Sequence, residues 1–175
     1  ERSKAAAVRK GMLEARGQFV MMADVDLSMP VEEIKRFVDQ AERGFDIVIG
    51  CRYMPGSHVQ QSLWRSLSGH VFKLMTALVL PDIQDTQCGF KLFTREAAQE
   101  LFHNLKSQSM AFDVEILLDA RKSGYHISQL PITWIENRDS RVLVRDVFKM
   151  SQDVYKLWRK EVKYPTAGKA VVSRA

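Results

Sequence analysis

Apolar positions in this chain fall into two patterns, short continuous runs and helical repeats, and their order along the sequence predicts an α/β fold. Phe19-Val20-Met21-Met22-Ala23 is a continuous apolar run of strand length, which predicts a strand buried on both faces. Ser28-Met29-Pro30 then reads as a helix start, with Ser28 as cap and Pro30 in the first turn. Val31, Ile34, Phe37, Val38 and Ala41 recur at helical spacing, and Gly44 closes the element. Asp46-Ile47-Val48-Ile49-Gly50 predicts a second buried strand that delivers Cys51-Arg52-Tyr53 to the sheet edge reached by the first. This strand, helix, strand order predicts a right-handed crossover in a mainly parallel sheet flanked by helices.

Pro55-Gly56-Ser57 marks a turn, and a helix is predicted from about Leu63 to Val79. Leu63, Leu67, Val71, Leu74 and Leu78 lie along one side of it, with Trp64, Phe72 and Met75 widening the apolar surface. So wide an apolar face predicts a helix deep in the core, with contact to a membrane surface as the alternative. Thr94 is placed to cap a helix reaching about Leu105, and another runs from Phe112 to Lys122 before Gly124. His126 to Ile135 alternates loosely around Pro131, the pattern of an edge or terminal strand. Val147, Phe148, Ser151, Val154, Tyr155 and Trp158 define a last amphipathic helix whose other face carries Lys149, Lys156, Arg159 and Lys160. Residues 1–164 are expected to form one domain and residues 165–175 a disordered tail. Glu1 to Gly11 reads as a helix already under way. Because a doubly wound sheet has strands before its first ligand-bearing strand end, an N-terminal portion with the first strands is expected outside this sequence.

With 46% hydrophobic and 27% charged residues, the 175-residue chain can bury a core of its own. Cys51 and Cys88 make neither a disulfide framework nor a metal-type spacing, which favours a reducing compartment. No apolar run approaches the roughly 20 residues of a membrane-spanning helix. Residues 138–175 hold 10 Lys and Arg against 4 Asp and Glu, whereas residues 1–137 hold 16 against 17, so the net charge of +5 belongs to the C-terminal part. A basic surface of that kind suits anionic lipid, a phosphorylated substrate or nucleic acid. No nucleic acid is expected as partner, since no aromatic and basic interleaving accompanies the charge.

The chemistry-bearing residues sit where strands end. Asp24 and Asp26 close the first apolar run, and ligands in open α/β sheets bind beyond the carboxyl ends of strands. Side chains two apart on extended backbone share a face, so both carboxylates can approach one cation. Mg²⁺ or Mn²⁺ would be held by one or two such carboxylates together with diphosphate oxygens. Arg52, ending the second strand, carries a fork of donors that matches a phosphate bidentately.

The run Asp85-Thr86-Gln87-Cys88-Gly89-Phe90-Lys91-Leu92-Phe93-Thr94-Arg95-Glu96-Ala97-Ala98 closely resembles the signature of dolichyl-phosphate glucosyltransferases, and more widely of the group that contains dolichyl-phosphate mannose synthases. Ala7-Val8-Arg9-Lys10-Gly11-Met12, Ala23-Asp24-Val25-Asp26-Leu27-Ser28, Gly50-Cys51-Arg52-Tyr53, Ala111-Phe112-Asp113-Val114-Glu115 and Trp134-Ile135-Glu136 match that group in the same order. The resemblance covers about residues 4–160. It implies a GT-A fold and inverting transfer from a nucleotide sugar to a polyprenyl phosphate, dolichyl or undecaprenyl, with UDP-glucose as the favoured donor. GDP-mannose transfer, or a non-catalytic membrane-associated domain of the same fold, are the alternatives. The resemblance further implies that Asp24 and Asp26 carry the metal and that Arg52 and Arg65 contact phosphate. It puts Asp85 near the sugar with Gln87 on its hydroxyls, and a close backbone approach at Cys88-Gly89. Asp113 and Glu115 are implied near donor sugar and acceptor, and Arg138 and Arg141 in a loop over the diphosphate. The acceptor phosphate is already anionic, so positioning and metal would carry the reaction rather than a strong base. The apolar helix 63–79 and the basic helix 146–160 would hold the domain peripherally at the cytoplasmic face of a membrane, unless segments outside this chain anchor it. Two departures stand out: Ser28 replaces the Gln of some mannose synthases, and Asp139-Ser140-Arg141 replaces the Gly-Ser-Lys frequent in glucosyltransferases.

Overall fold

A computed structural model describes residues 3–25, 28–60, 63–135, 144–163 and 172–174. In chain order the elements are α1 (Lys4–Glu14), β1 (Phe19–Met22), α2 (Ile34–Glu42), β2 (Ile47–Cys51), β3 (His58–Gln60), α3 (Leu63–Ala77), β4 (Lys91–Thr94), α4 (Arg95–Asn104), α5 (Phe112–Lys122), β5 (Ile127–Pro131), β6 (Thr133–Ile135), α6 (Val144–Lys163) and β7 (Val172–Arg174). The opening helix starts inside this sequence: Ser3 Oγ accepts from the Ala6 N–H and caps α1. At α2 the expected Ser28 cap gives way to Pro30, which leads into a short 3₁₀ turn over Val31–Glu33 without a side-chain cap. Thr94 caps α4 as expected, through the Ala97 N–H, and Gly124 follows α5 at φ +80°, a conformation glycine adopts without steric cost.

The main sheet has the order β1-β4-β2-β5-β7, and β3 pairs with β6 beside it. The α/β class holds, but the sheet is mixed. β2 pairs in parallel with β5, and β5 with β7, whereas β4 runs antiparallel between β1 and β2. The two strands joined by α2 therefore never touch. The apolar stretch Phe90-Lys91-Leu92-Phe93, read only as part of a motif, fills the gap between them. β1 is the outer strand of this sheet, and its residues alternate between half-buried and buried rather than being covered on both faces. β5 lies inside the sheet with four of its five residues buried, and Pro131, which has no N–H to give the ladder, is tolerated as its last residue. Val172–Arg174, expected in a disordered tail, pair with β5 instead and occupy its outer hydrogen-bonding edge.

Strand alternation sorts the core into two layers. Ile47, Ile49 and Phe93 point to the side of α4 and α5, where Phe93 meets Phe102 edge-on with ring centres 5.4 Å apart. Val48, Leu92 and Leu130 point the other way, to Phe37 and Ala41 of α2 and to Trp134. α3 contributes Phe72 and Thr76 to the interior, but the stripe expected in the core is on the outside. Leu67, Val71, Leu74 and Leu78 are 59%, 50%, 74% and 70% exposed, so this stripe faces away from the protein with aliphatic side chains.

Candidate active site at the carboxyl edge of the sheet

β1 and β2 run in the same direction with β4 between them, so Asp24 and Arg52 emerge from the same edge, two strand spacings or about 10 Å apart. β4 begins at this edge because it runs the opposite way, which lays the preceding loop, residues 82–90, across the gap. Gln129, buried on β5, fixes the start of that loop: its Nε2 donates to Asp82 O at 2.9 Å and its Oε1 accepts from Gln84 N at 2.8 Å.

Asp85 is sealed against Arg52. Its Oδ2 accepts from Arg52 Nε at 2.7 Å and from Arg52 N at 3.1 Å, and its Oδ1 accepts from Arg52 Nη2 at 2.9 Å and Gln87 N at 3.2 Å. The guanidinium lies between the rings of Tyr53 and Trp134, 5.7 and 5.3 Å from their centres. Burial by itself would raise the Asp85 pKa, but the adjoining guanidinium prevails and holds the carboxyl below its ordinary value. Arg52 is correspondingly raised by Asp85 against the effect of burial. The two side chains expected at phosphate and sugar thus satisfy each other. Gln87 contributes its backbone N–H to the same carboxylate, and its side-chain Nε2, like Trp134 Nε1, is buried without a hydrogen-bond partner among the described residues.

A second pair lies one turn of chain further on. Lys91, 1% exposed at the start of β4, donates from Nζ to Asp113 Oδ1 at 2.5 Å and to Cys88 O at 2.6 Å. Asp113 opens α5, where the helix dipole favours an acidic residue. Burial raises its pKa, while Lys91 and then Lys4 counter that and Asp24 adds to it, so Asp113 and Asp24 feel each other's charge. Glu115 belongs elsewhere. Two residues along a helix lie about 200° apart, so it cannot share the face of Asp113, and its carboxylate instead accepts from the Lys106 and Ser107 N–H groups at 3.0 and 2.8 Å. It anchors the loop before α5.

Asp24 differs from these carboxylates. A Cβ built at Gly89 would fall 1.7 Å from Asp24 Oδ2, so the carboxylate rests directly on the glycine backbone. Gly89 is not among the positive-φ glycines, which are Gly44, Gly56 and Gly124, and its lack of a side chain therefore serves this close approach rather than a turn. The close approach expected at Cys88-Gly89 is made by the first aspartate of the D-x-D. The other contact to Asp24 is Lys4 Nζ at 2.6 Å, an ion pair with side chains 40% and 25% exposed. Both cysteines are unsuited to ligation or attack, since burial pushes Cys51 up to about 11 and Cys88 up to about 12.

Among the described residues no cluster of three or more His, Cys, Asp or Glu is arranged to hold a metal ion. One accessible carboxylate at a strand end nevertheless fits a hard cation that draws most of its ligands from diphosphate and water. Asp26, Arg138 and Arg141 lie outside the described residues, as does the side chain of Arg65 in α3. Lys4, Lys91, Tyr53 and Trp134 were not singled out as site residues. A charged residue inside the apolar run Phe90-Lys91-Leu92-Phe93 was the available signal for Lys91, because an ammonium there demands a buried partner.

Comparison with known proteins agrees with this architecture. The chain is 35% identical over 161 residues to dolichyl-phosphate beta-glucosyltransferase ALG5A of Trichomonas vaginalis, covering 88% of this chain and 49% of that protein. It is 33% identical over 155 residues to the human dolichyl-phosphate beta-glucosyltransferase, covering 81% and 47%. The chain spans about half the length of these curated relatives. Glucosyl-3-phosphoglycerate synthase from Mycobacterium tuberculosis in complex with UDP superposes with a TM-score of 0.65 at 14% identity, over 95% of this chain and 57% of that one. The same enzyme with Mn²⁺, UDP and glucosyl-3-phosphoglycerate gives 0.64 at 14%, over 99% and 64%. At these identities the likeness is one of fold, that of GT-A glycosyltransferases. Residues 1–102, which carry β1, Asp24, Arg52 and the loop that seats them, match the family profile, and the chain belongs to glycosyl transferase family 2.

Proposed function

We propose that this chain is the catalytic part of a polyprenyl-phosphate glucosyltransferase, which moves glucose from UDP-glucose to dolichyl or undecaprenyl phosphate with inversion at the anomeric carbon. The observation that carries this is the seating of Asp24 on Gly89. Arg52–Asp85 and Lys91–Asp113 would hold the loop together in any protein of this fold, catalytic or not. A glycine kept free of side chain for one partly exposed carboxylate has no such structural use, and it fits a site where that carboxylate must meet a ligand.

Asp24, with Asp26 two residues further on, would hold Mg²⁺ or Mn²⁺, which supplies charge stabilisation to the departing diphosphate. The chain's own residues then position rather than transfer protons. A phosphate oxygen of the acceptor is anionic near neutral pH and needs no base. That suits a site whose buried carboxylates, Asp85 and Asp113, are already neutralised by Arg52 and Lys91. Arg52 and Asp85 fix the loop that carries Gln87, Cys88 and Gly89. Arg65, Arg138 and Arg141 remain proposed phosphate contacts from the sequence.

The acceptor is a lipid, and the exposed stripe of α3 provides the surface for it. No described helix is long and apolar enough to cross a membrane. Leu67, Val71, Leu74 and Leu78 form instead a line of aliphatic side chains about 16 Å long, the arrangement of a helix lying in the plane of an interface. α6, packed beside α3, adds exposed Tyr155 and the basic residues Lys156 and Arg159, which suits an anionic cytoplasmic leaflet.

The test is transfer of labelled sugar into solvent-extractable polyprenyl phosphate with Mn²⁺, using the chain with its natural flanking sequence beside an Asp24→Asn variant. Label from UDP-glucose that disappears in the variant is expected. Label from GDP-mannose alone would replace the donor, and undiminished transfer by Asp24→Asn would remove Asp24 from the site.

A further inference from the structure

Among the described residues four cations stand at the carboxyl edge of the sheet, and three of them face a carboxylate. Lys4 has Asp24, Arg52 has Asp85 and Lys91 has Asp113. Lys73 of α3 has only the face of Tyr53, with its Nζ 4.7 Å from the ring centre, and no carboxylate pairs with it among the described residues. A half-buried ammonium over a ring face keeps most of its need for hydrogen-bond acceptors, since it can donate three bonds.

Its position on α3 gives that need a direction. At about 100° per residue, Leu67, Val71, Leu74 and Leu78 fall within about 60° of one another. Turning from this stripe toward the site, one meets His70, then Lys73, then Gly69. All three touch Tyr53: His70 edge-on at 5.1 Å, Lys73 over the ring, and Gly69 where a Cβ would fall 2.5 Å from Tyr53 Oη. Tyr53 in turn follows Arg52, whose guanidinium lies 5.7 Å from the same ring. In the other direction Met75 meets Ser151 of α6, and Phe72 and Thr76 face the core. Lys73 is thus the cation between the outward aliphatic stripe and the Arg52 corner of the site.

We propose that Lys73 receives the phosphate of the lipid acceptor as it arrives along α3. This rests on the membrane placement proposed above. The donor diphosphate is drawn to Asp24, on the far side of β4, so a cation beside Tyr53 is placed for the second phosphate rather than the first. An isoprenoid phosphate whose chain follows the stripe presents its headgroup where the aliphatic row gives way to His70 and Lys73.

Sedimentation with phosphatidylcholine vesicles, plain or doped with polyprenyl phosphate or with phosphatidic acid, tests this on wild type, Lys73→Gln, Lys73→Arg and Leu74→Asp. A charge-assisted phosphate contact predicts roughly tenfold tighter binding of wild type to vesicles with polyprenyl phosphate than to plain ones. Lys73→Gln is expected to lose that gain while binding plain vesicles as wild type does, and Lys73→Arg to keep most of it. Leu74→Asp should weaken binding to all three vesicle types, which reads the membrane placement separately. In the transfer assay Lys73→Gln should raise KM for the lipid several-fold and leave KM for the nucleotide sugar unchanged. Retention of the full gain by Lys73→Gln would overturn the proposal, and so would an equal gain from phosphatidic acid, which would make Lys73 a reader of bilayer headgroups. Failure of wild type to bind any vesicle would overturn the membrane placement and this inference with it.

Discussion

Two kinds of carboxylate share one sheet edge in this protein, and their surroundings divide the labour between them. Asp85 and Asp113 are buried, each against a cation that is itself largely out of water, and both serve to fix loop 82–90 to the strands and to α5. Asp24, at the same sheet edge, is partly exposed, rests on a bare glycine and is countered by Lys4, whose side chain is the more exposed of the two. Asp85 and Asp113 therefore hold the floor, and under the proposed function Asp24 of the D-x-D would be the group that meets a ligand. Whether a carboxylate is available for chemistry depends here on how deeply its counter-ion is buried.

That contrast can be broken from the buried side first. Arg52→Met or Lys91→Met leaves a charge without a partner inside the protein, and each is expected to cost about 3–5 kcal/mol in denaturant unfolding. Arg52→Met combined with Asp85→Leu should recover much of it, because no uncompensated charge remains. A loss under about 1 kcal/mol in the single variants would mean that the pairs are not sealed.

The same pair should appear in the pH dependence. Asp85 titrates below its ordinary 3.8 in the folded chain, so its share of stability is fully present above that value and is lost as the pH falls through the lower folded one. Wild type is expected to weaken more steeply below about pH 4 than the Arg52→Met, Asp85→Leu double variant in urea titrations at stepped pH.

On the open side, Gly89→Ala forces Asp24 off its seat. Mn²⁺ affinity, followed by electron paramagnetic resonance with UDP present, should fall about tenfold, or about 1.4 kcal/mol, with a smaller change in unfolding free energy. Unchanged affinity would show that the seat has no bearing on the cation. The smallest effect is expected from Lys4→Gln. Removing an exposed ion pair should shift stability by less than about 1 kcal/mol and strengthen Mn²⁺ binding slightly, because the cation no longer competes with an ammonium for Asp24.

Much of this was legible in the chain itself. Strand ends were marked where apolar runs stop at Asp24 and Arg52, helices by repeats and caps such as Thr94, and the family by ordered motifs. What failed did so for particular reasons. The helical repeat of α3 states that one side is apolar but not which side the sheet covers, and Phe72 with Thr76 took the inner position that Leu67, Val71, Leu74 and Leu78 were expected to hold. Glu115 was placed with Asp113 by the family resemblance, although a helix turns residues two apart to opposite sides. β4 was hidden because it is short and lies inside a motif read for chemistry.

The sequence by itself determined the α/β class, the strand-end placing of Asp24 and Arg52 and the membership in glycosyl transferase family 2, since periodicity and motif order are local properties of a chain. Only the tertiary structure decided which charges neutralise one another. Arg52 with Asp85, Lys91 with Asp113, Gly89 beneath Asp24 and Lys73 beside Tyr53 are partners 20 to 65 residues apart, brought together by an antiparallel strand set between two parallel ones. Such pairings depend on distance and burial across the fold, which no window of sequence contains.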